Sequence, residues 1–145
     1  MAAAARQRTV ALRVQRHNEN GLRVAQALET HRAVEHVYYP GLQSHPQHAL
    51  AASQMRGFGG VLGLEICGGE ASAERFIRCL RRFRRAPSIG AVESLAIHPF
   101  AMWRNTLSAD ELHRRGVSPG LVRLSLGIDA GDDIVADVTG ALDAL

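Results

Sequence analysis

The stretch Gly120-Leu121-Val122-Arg123-Leu124-Ser125-Leu126-Gly127-Ile128 alternates apolar side chains with others at a period of two. This is the pattern of a β-strand with one face against a core. Val122, Leu124, Leu126 and Ile128 are expected on the buried face, and Arg123, Ser125 and Gly127 on the other. An arginine in the middle of an apolar strand calls for an anion, because guanidinium groups are rarely buried unpaired. Two partners are open: a structural carboxylate from the same fold, or a ligand carboxylate, which a planar guanidinium holds with two parallel hydrogen bonds.

The totals narrow the class. The chain has 145 residues, 46% apolar and 21% charged, which suits one soluble globular domain with its own core. The net charge of +3 comes entirely from arginine, since the sequence contains no lysine. Cys67 and Cys79 have neither metal spacing nor a disulfide framework, so a reduced, cytoplasmic setting is the default. No apolar run approaches the roughly 20 residues that span a bilayer, so no membrane partner is expected. Residues 1–6 lack the apolar core of a signal peptide and read as the ragged start of a helix.

Along the chain, residues 4–30 predict one long helix, with Gly21, Val24, Ala25 and Leu28 on one face. Residues 33–39 read as a short strand ended by Pro40-Gly41. His45 and His48 share a solvent-facing loop and have no third ligand nearby, so metal is not expected. A short helix over 47–55 and a Gly57-Phe58-Gly59-Gly60 turn lead to a strand at 61–67, with Leu62, Leu64 and Ile66 inward. A glycine cluster before a strand is the wrong order for a phosphate cradle, which precedes a helix.

Residues 70–80 predict a helix with Ala73, Phe76, Ile77 and Leu80 buried, closed by the cationic run Arg81-Arg82-Phe83-Arg84-Arg85. Four arginines around one phenylalanine fall short of a basic face, so no nucleic-acid partner is expected. A small helix at 108–116 carries a Ser108/Glu111 capping box and Gly116 as its stop. Asp132 and Asp133 open a last helix, with Ile134, Val138, Ala141, Leu142 and Leu145 as its buried stripe. The expected fold class is α/β: a small, mostly antiparallel sheet covered by helices on one face.

Several segments together carry a resemblance to a known family. They are Arg16-His17-Asn18-Glu19-Asn20, then Tyr39-Pro40-Gly41-Leu42-Gln43-Ser44-His45-Pro46-Gln47-His48, and Gln54-Met55-Arg56-Gly57-Phe58-Gly59-Gly60. After them come Ala86-Pro87-Ser88-Ile89-Gly90-Ala91-Val92-Glu93-Ser94-Leu95-Ala96-Ile97-His98-Pro99 and the Arg123 strand. In this order they resemble the C-terminal domain of the Cys/Met-metabolism enzymes dependent on pyridoxal phosphate (PLP). That family includes cystathionine γ-synthase, cystathionine β- and γ-lyases, methionine γ-lyase and O-acetylhomoserine sulfhydrylase.

The resemblance implies the small C-terminal domain of a fold-type I PLP enzyme. Residues 1–30 would be the helix linking to a large PLP-binding domain cut away at Met1, and residues 31–145 the substrate-carboxylate domain. It implies Arg123 and Ser88 as the residues binding the substrate's α-carboxylate. Anchoring that group fixes the angle between the Cα–H bond and the cofactor ring. No catalytic, cofactor-binding or metal-binding residue is implied, because PLP is held on a lysine and this chain has none. The function implied is a C-terminal fragment of a carbon–sulfur lyase or transferase of transsulfuration, inactive alone, whose substrate is a sulfur amino acid.

Two departures bear on specificity. Pro87 stands where γ-acting members often carry glutamate, which weakens γ chemistry and leaves β chemistry open. Ala91 replaces a signature glycine. Glu93 and Ser94 are expected to cap or hydrogen-bond the loop, and residues 100–106, Trp103 among them, to line the site's edge or a subunit contact. The partners implied are the large PLP domain or homo-oligomer subunits. The alternative is a non-catalytic binding or interaction module derived from the enzyme, pairing with a separately encoded large domain.

Overall fold

The computed structural model describes residues 7–145; the expected ragged helix start at residues 1–6 lies outside them. The described elements run α1 (Val10–Glu29), β1 (Val34–Tyr38), α2 (His48–Gln54), β2 (Val61–Ile66), α3 (Gly69–Cys79) and β3 (Phe83–Arg85). They continue with β4 (Ser94–Ile97), α4 (Pro99–Trp103), α5 (Ala109–Arg114), β5 (Leu121–Ser125) and α6 (Gly131–Asp143). No helix among these residues is long and apolar enough to cross a membrane.

The strand predicted around Arg123 is the middle of the sheet. The order is β1-β2-β5-β4-β3, antiparallel at every pair except β3 and β4, which run parallel. Period two then sorts the side chains. Leu62, Leu64 and Ile66 of β2, with Val122 and Leu124 of β5, turn to one face and are fully buried. Against them pack Val24, Ala25 and Leu28 of α1, Phe76 and Ile77 of α3, and Ile134, Val138 and Leu142 of α6. Each large apolar side chain so buried stabilises the fold by about 1.5–3 kcal/mol. The second face carries the register row Tyr38, Gly63, Arg123 and Ile97 across β1, β2, β5 and β4. There α4 and α5 close one end only, around Tyr38 and Glu65.

The local signals held where they were strongest. Ser108 and Glu111 form the reciprocal capping box of α5, and Gly116 follows it at φ +68°. Three expectations are corrected. The helix before the arginine run ends at Cys79, and Phe83–Arg85 is an edge strand, not a helix terminus. The reason is tertiary: the Asp137 carboxylate on α6 accepts the N–H groups of Arg81 at 3.0 Å and Arg82 at 2.9 Å, which turns the chain out of the helix. Ile128 lies past β5 and is 42% exposed, so the buried alternation stops at Leu126. His48 is not a solvent-facing side chain: its Nδ1 lies 2.8 Å from the Pro40 carbonyl and its ring packs on Phe58.

Candidate functional site

The face opposite the main core brings Arg123 and Ser88 together. Arg123 projects from the central strand between its register neighbours Gly63 and Ile97. Its Nη2 donates to the backbone carbonyl of Ser88 at 2.9 Å. Its Nε is buried with no partner, and no carboxylate lies within ion-pair distance among the described residues. Burial draws its pKa down, yet a guanidinium stays charged at any ordinary pH. A half-buried cation whose acceptor is a neutral carbonyl can still take an anion. The hydroxyl of Ser88 is exposed on the adjoining loop.

That loop, residues 86–93, is fastened through the backbone of Ser88, Gly90, Ala91 and Val92. Arg13 of α1 donates to the Gly90 carbonyl at 2.7 Å, and His17 Nε2 lies 3.0 Å from the Ala91 carbonyl. The Gly90 N–H reaches the Ser125 hydroxyl at 3.4 Å, and the Ile128 N–H donates to the Val92 carbonyl at 2.9 Å. Gly90 itself has φ +69°, a turn that a residue with a Cβ adopts only under strain. Beyond the loop, Ser94 is fully buried and its hydroxyl accepts the Gly127 N–H at 2.9 Å, while Glu93 pairs with Arg84 at 3.0 Å. Glu93 and Ser94 therefore hold the loop, as their place in the sequence suggested.

Arg13 and His17 had no assigned role in the sequence reading, although His17 falls in a quoted motif. The structure explains that motif. Within a single turn of α1, His17 faces Ala91, Asn18 accepts the Gly59 N–H at 2.8 Å, and Asn20 donates to the carbonyls of Gly127 and Asp129 at 2.9 and 3.0 Å. One helix thus ties down the 86–93 loop, the glycine turn before β2 and the segment after β5. Trp103 is partly exposed at the end of α4 and has no contact with Arg123 or Ser88 among those described.

The donor set does not fit covalent attachment of PLP, because the chain has no ε-amine to offer the cofactor's aldehyde. What the site presents is a cation, a hydroxyl and a loop fastened around them. A small, mostly antiparallel sheet with helices packed on one face is the architecture of the small domain of a fold-type I PLP enzyme. Its sequence agrees: the family described as Cys/Met metabolism PLP-dependent enzyme matches residues 6–143, and the chain belongs to that family.

Three relatives show the range. L-methionine gamma-lyase of Pseudomonas deceptionensis is 45% identical over 95% of this chain and 35% of its own length. Cystathionine beta-lyase of Coxiella burnetii is 43% identical over 93% of this chain and 35% of its own length. The crystal structure of cystathionine gamma synthase from Xanthomonas oryzae pv. oryzae in complex with cystathionine has a TM-score of 0.87 at 43% identity. It covers 94% of this chain and 35% of that one. The chain therefore spans about a third of the length of these relatives. Identity to β- and γ-acting relatives is nearly equal, so it does not separate the two chemistries.

Proposed function

We propose that this chain is the substrate-carboxylate region of a PLP-dependent carbon–sulfur lyase or transferase acting on a sulfur amino acid such as cystathionine. The observation that carries the reading is Arg123: a charged, half-buried group on the open face, paired with no acid among the described residues and next to Ser88. Its role is to hold the α-carboxylate, with the Ser88 hydroxyl adding a neutral hydrogen bond. Bound PLP supplies the electron sink, and a lysine outside these 145 residues supplies its attachment. Residues 7–30 then serve as the connection to the lysine-bearing region, and residues 31–145 as the carboxylate domain.

Pro87 in place of an acidic side chain weakens the case for γ chemistry and leaves β chemistry or another specificity open. The unpaired thiols Cys67 and Cys79 favour a reducing, cytoplasmic setting. The partner is the lysine-bearing region, on the same or a separate chain. The apolar side chains of Val10, Leu12 and Val14, exposed at the start of α1, support a covering partner there. The same surface suits the alternative of a non-catalytic module that docks on a separately encoded large domain.

The test follows the Arg123 side-chain N–H signal by NMR while L-cystathionine is added to the chain. A saturable shift is expected with cystathionine and not with its dimethyl ester, and Arg123→Gln should abolish it. An equal response to the ester would overturn the assignment. Mixing the chain with PLP should leave the visible spectrum without a Schiff-base band; a stable band would show that an amine here carries the cofactor.

A further inference from the structure

A second cavity opens at the β3–β4 edge of the sheet, between α3 and α4, and Arg123 does not line it. It encloses about 490 Å³, within the range of small-molecule sites. Ile77 of α3 and Ala101 and Met102 of α4 give it an apolar wall. Arg78, Arg85 and Glu74 also line it, which leaves it net positive. Glu74 stands 3.9 Å from Arg78, whereas Arg85 has neither ion pair nor hydrogen-bond partner among the described residues.

The third feature is His98, which lines the cavity and is 7% exposed. Its Nε2 lies 2.8 Å from the Pro119 carbonyl. A carbonyl only accepts, so Nε2 carries the proton and Nδ1 is left as an acceptor. Nδ1 is buried and has no partner. An orphaned buried acceptor is costly, and a donor from a ligand removes the cost.

We propose that this cavity binds a small α-amino or α-hydroxy acid with an apolar side chain. Its carboxylate meets Arg85, its apolar body lies against Ile77 and Met102, and its amine or hydroxyl donates to His98 Nδ1. A simple anion would leave Nδ1 unpaired, and a simple hydrocarbon would leave both Nδ1 and the arginines unused. The site is independent of the carboxylate reading at Arg123. It adjoins that reading through Ala86 and Pro87, which line the cavity and lead into Ser88, and through Ile97, the register neighbour of Arg123.

The test is an NMR titration of the full chain with leucine and with its α-hydroxy counterpart, leucic acid. Isocaproate, which lacks the donor, and isoamylamine, which lacks the carboxylate, are the controls. Saturable shifts of the Ile77, Ala101 and Met102 methyl groups are expected with the two acids, and weaker ones with both controls. Arg85→Gln, on an exposed edge strand, should weaken binding about tenfold. Met102→Glu should do the same by repelling the carboxylate, and Arg123→Gln should leave it unchanged. Shifts confined to the neighbourhood of Arg123, equal affinity in the Arg85 and Met102 variants, or no saturable shift at all would overturn the site.

Discussion

His17 shows how much of a site can depend on a residue that never meets the ligand. It is buried, with its Cβ and backbone close to Gly60 and its ring facing the Ala91 carbonyl, and burial pushes its pKa below the usual 6.5. The bond to Ala91 opposes that shift and the charge on Arg13 adds to it. The unfolded chain therefore takes up the proton first as pH falls. The stability contributed by the neutral ring is complete above about pH 6.5 and is lost as pH drops through the folded value. Urea melts at several pH values should show His17→Gln flattening the acid-side loss of stability relative to the parent chain; an unchanged slope would remove His17 from the account. Arg123 could be read from its strand, because period two isolates it among apolar neighbours. The contacts of Arg13 and His17 could not, since 77 and 74 residues separate them from the carbonyls they meet.

At the scale of elements, legibility followed the reach of the signal. α5 was readable because its cap lies within four residues of sequence, and α6 because its buried stripe repeats along a single helix. β3 was not. A run of arginines after an amphipathic helix suits a helix end, and only Asp137, more than fifty residues away, makes the chain leave the helix and pair with β4. The arginines are then shared out: Arg82 pairs with Asp133 at 2.9 Å and Arg84 with Glu93 at 3.0 Å, so the run forms no continuous basic face. Asp137→Ala should release both amides and loosen the edge. Hydrogen exchange is expected to quicken at residues 81–85 while β2 and β5 stay protected. Unchanged exchange at β3 would mean that pairing with β4 alone holds it.

For the molecule as a whole, one face of the sheet is closed by helices and the other is mostly open. The accessible surface is 8630 Å², against about 7300 Å² for a compact monomer of 15.7 kDa. Part of the excess is apolar and clustered. Val10 and Val14 share one side of the first turns of α1, Leu12, 71% exposed, stands on another side, and Ile89 and Val92 are exposed on the 86–93 loop, which faces Thr9 and Arg13. An exposed apolar strip such as Val10 and Val14 is a surface that a partner or a second copy of the chain can cover. The isolated chain should therefore self-associate as its concentration rises in sedimentation experiments. Val10→Glu combined with Val14→Glu should suppress association without lowering Tm, because neither side chain belongs to the core. Association that survives both changes would move the contact to another surface, and a fall in Tm would mean that the strip supports the fold itself. Suppression without destabilisation would identify the Val10 and Val14 side of α1 as the surface through which the copies meet.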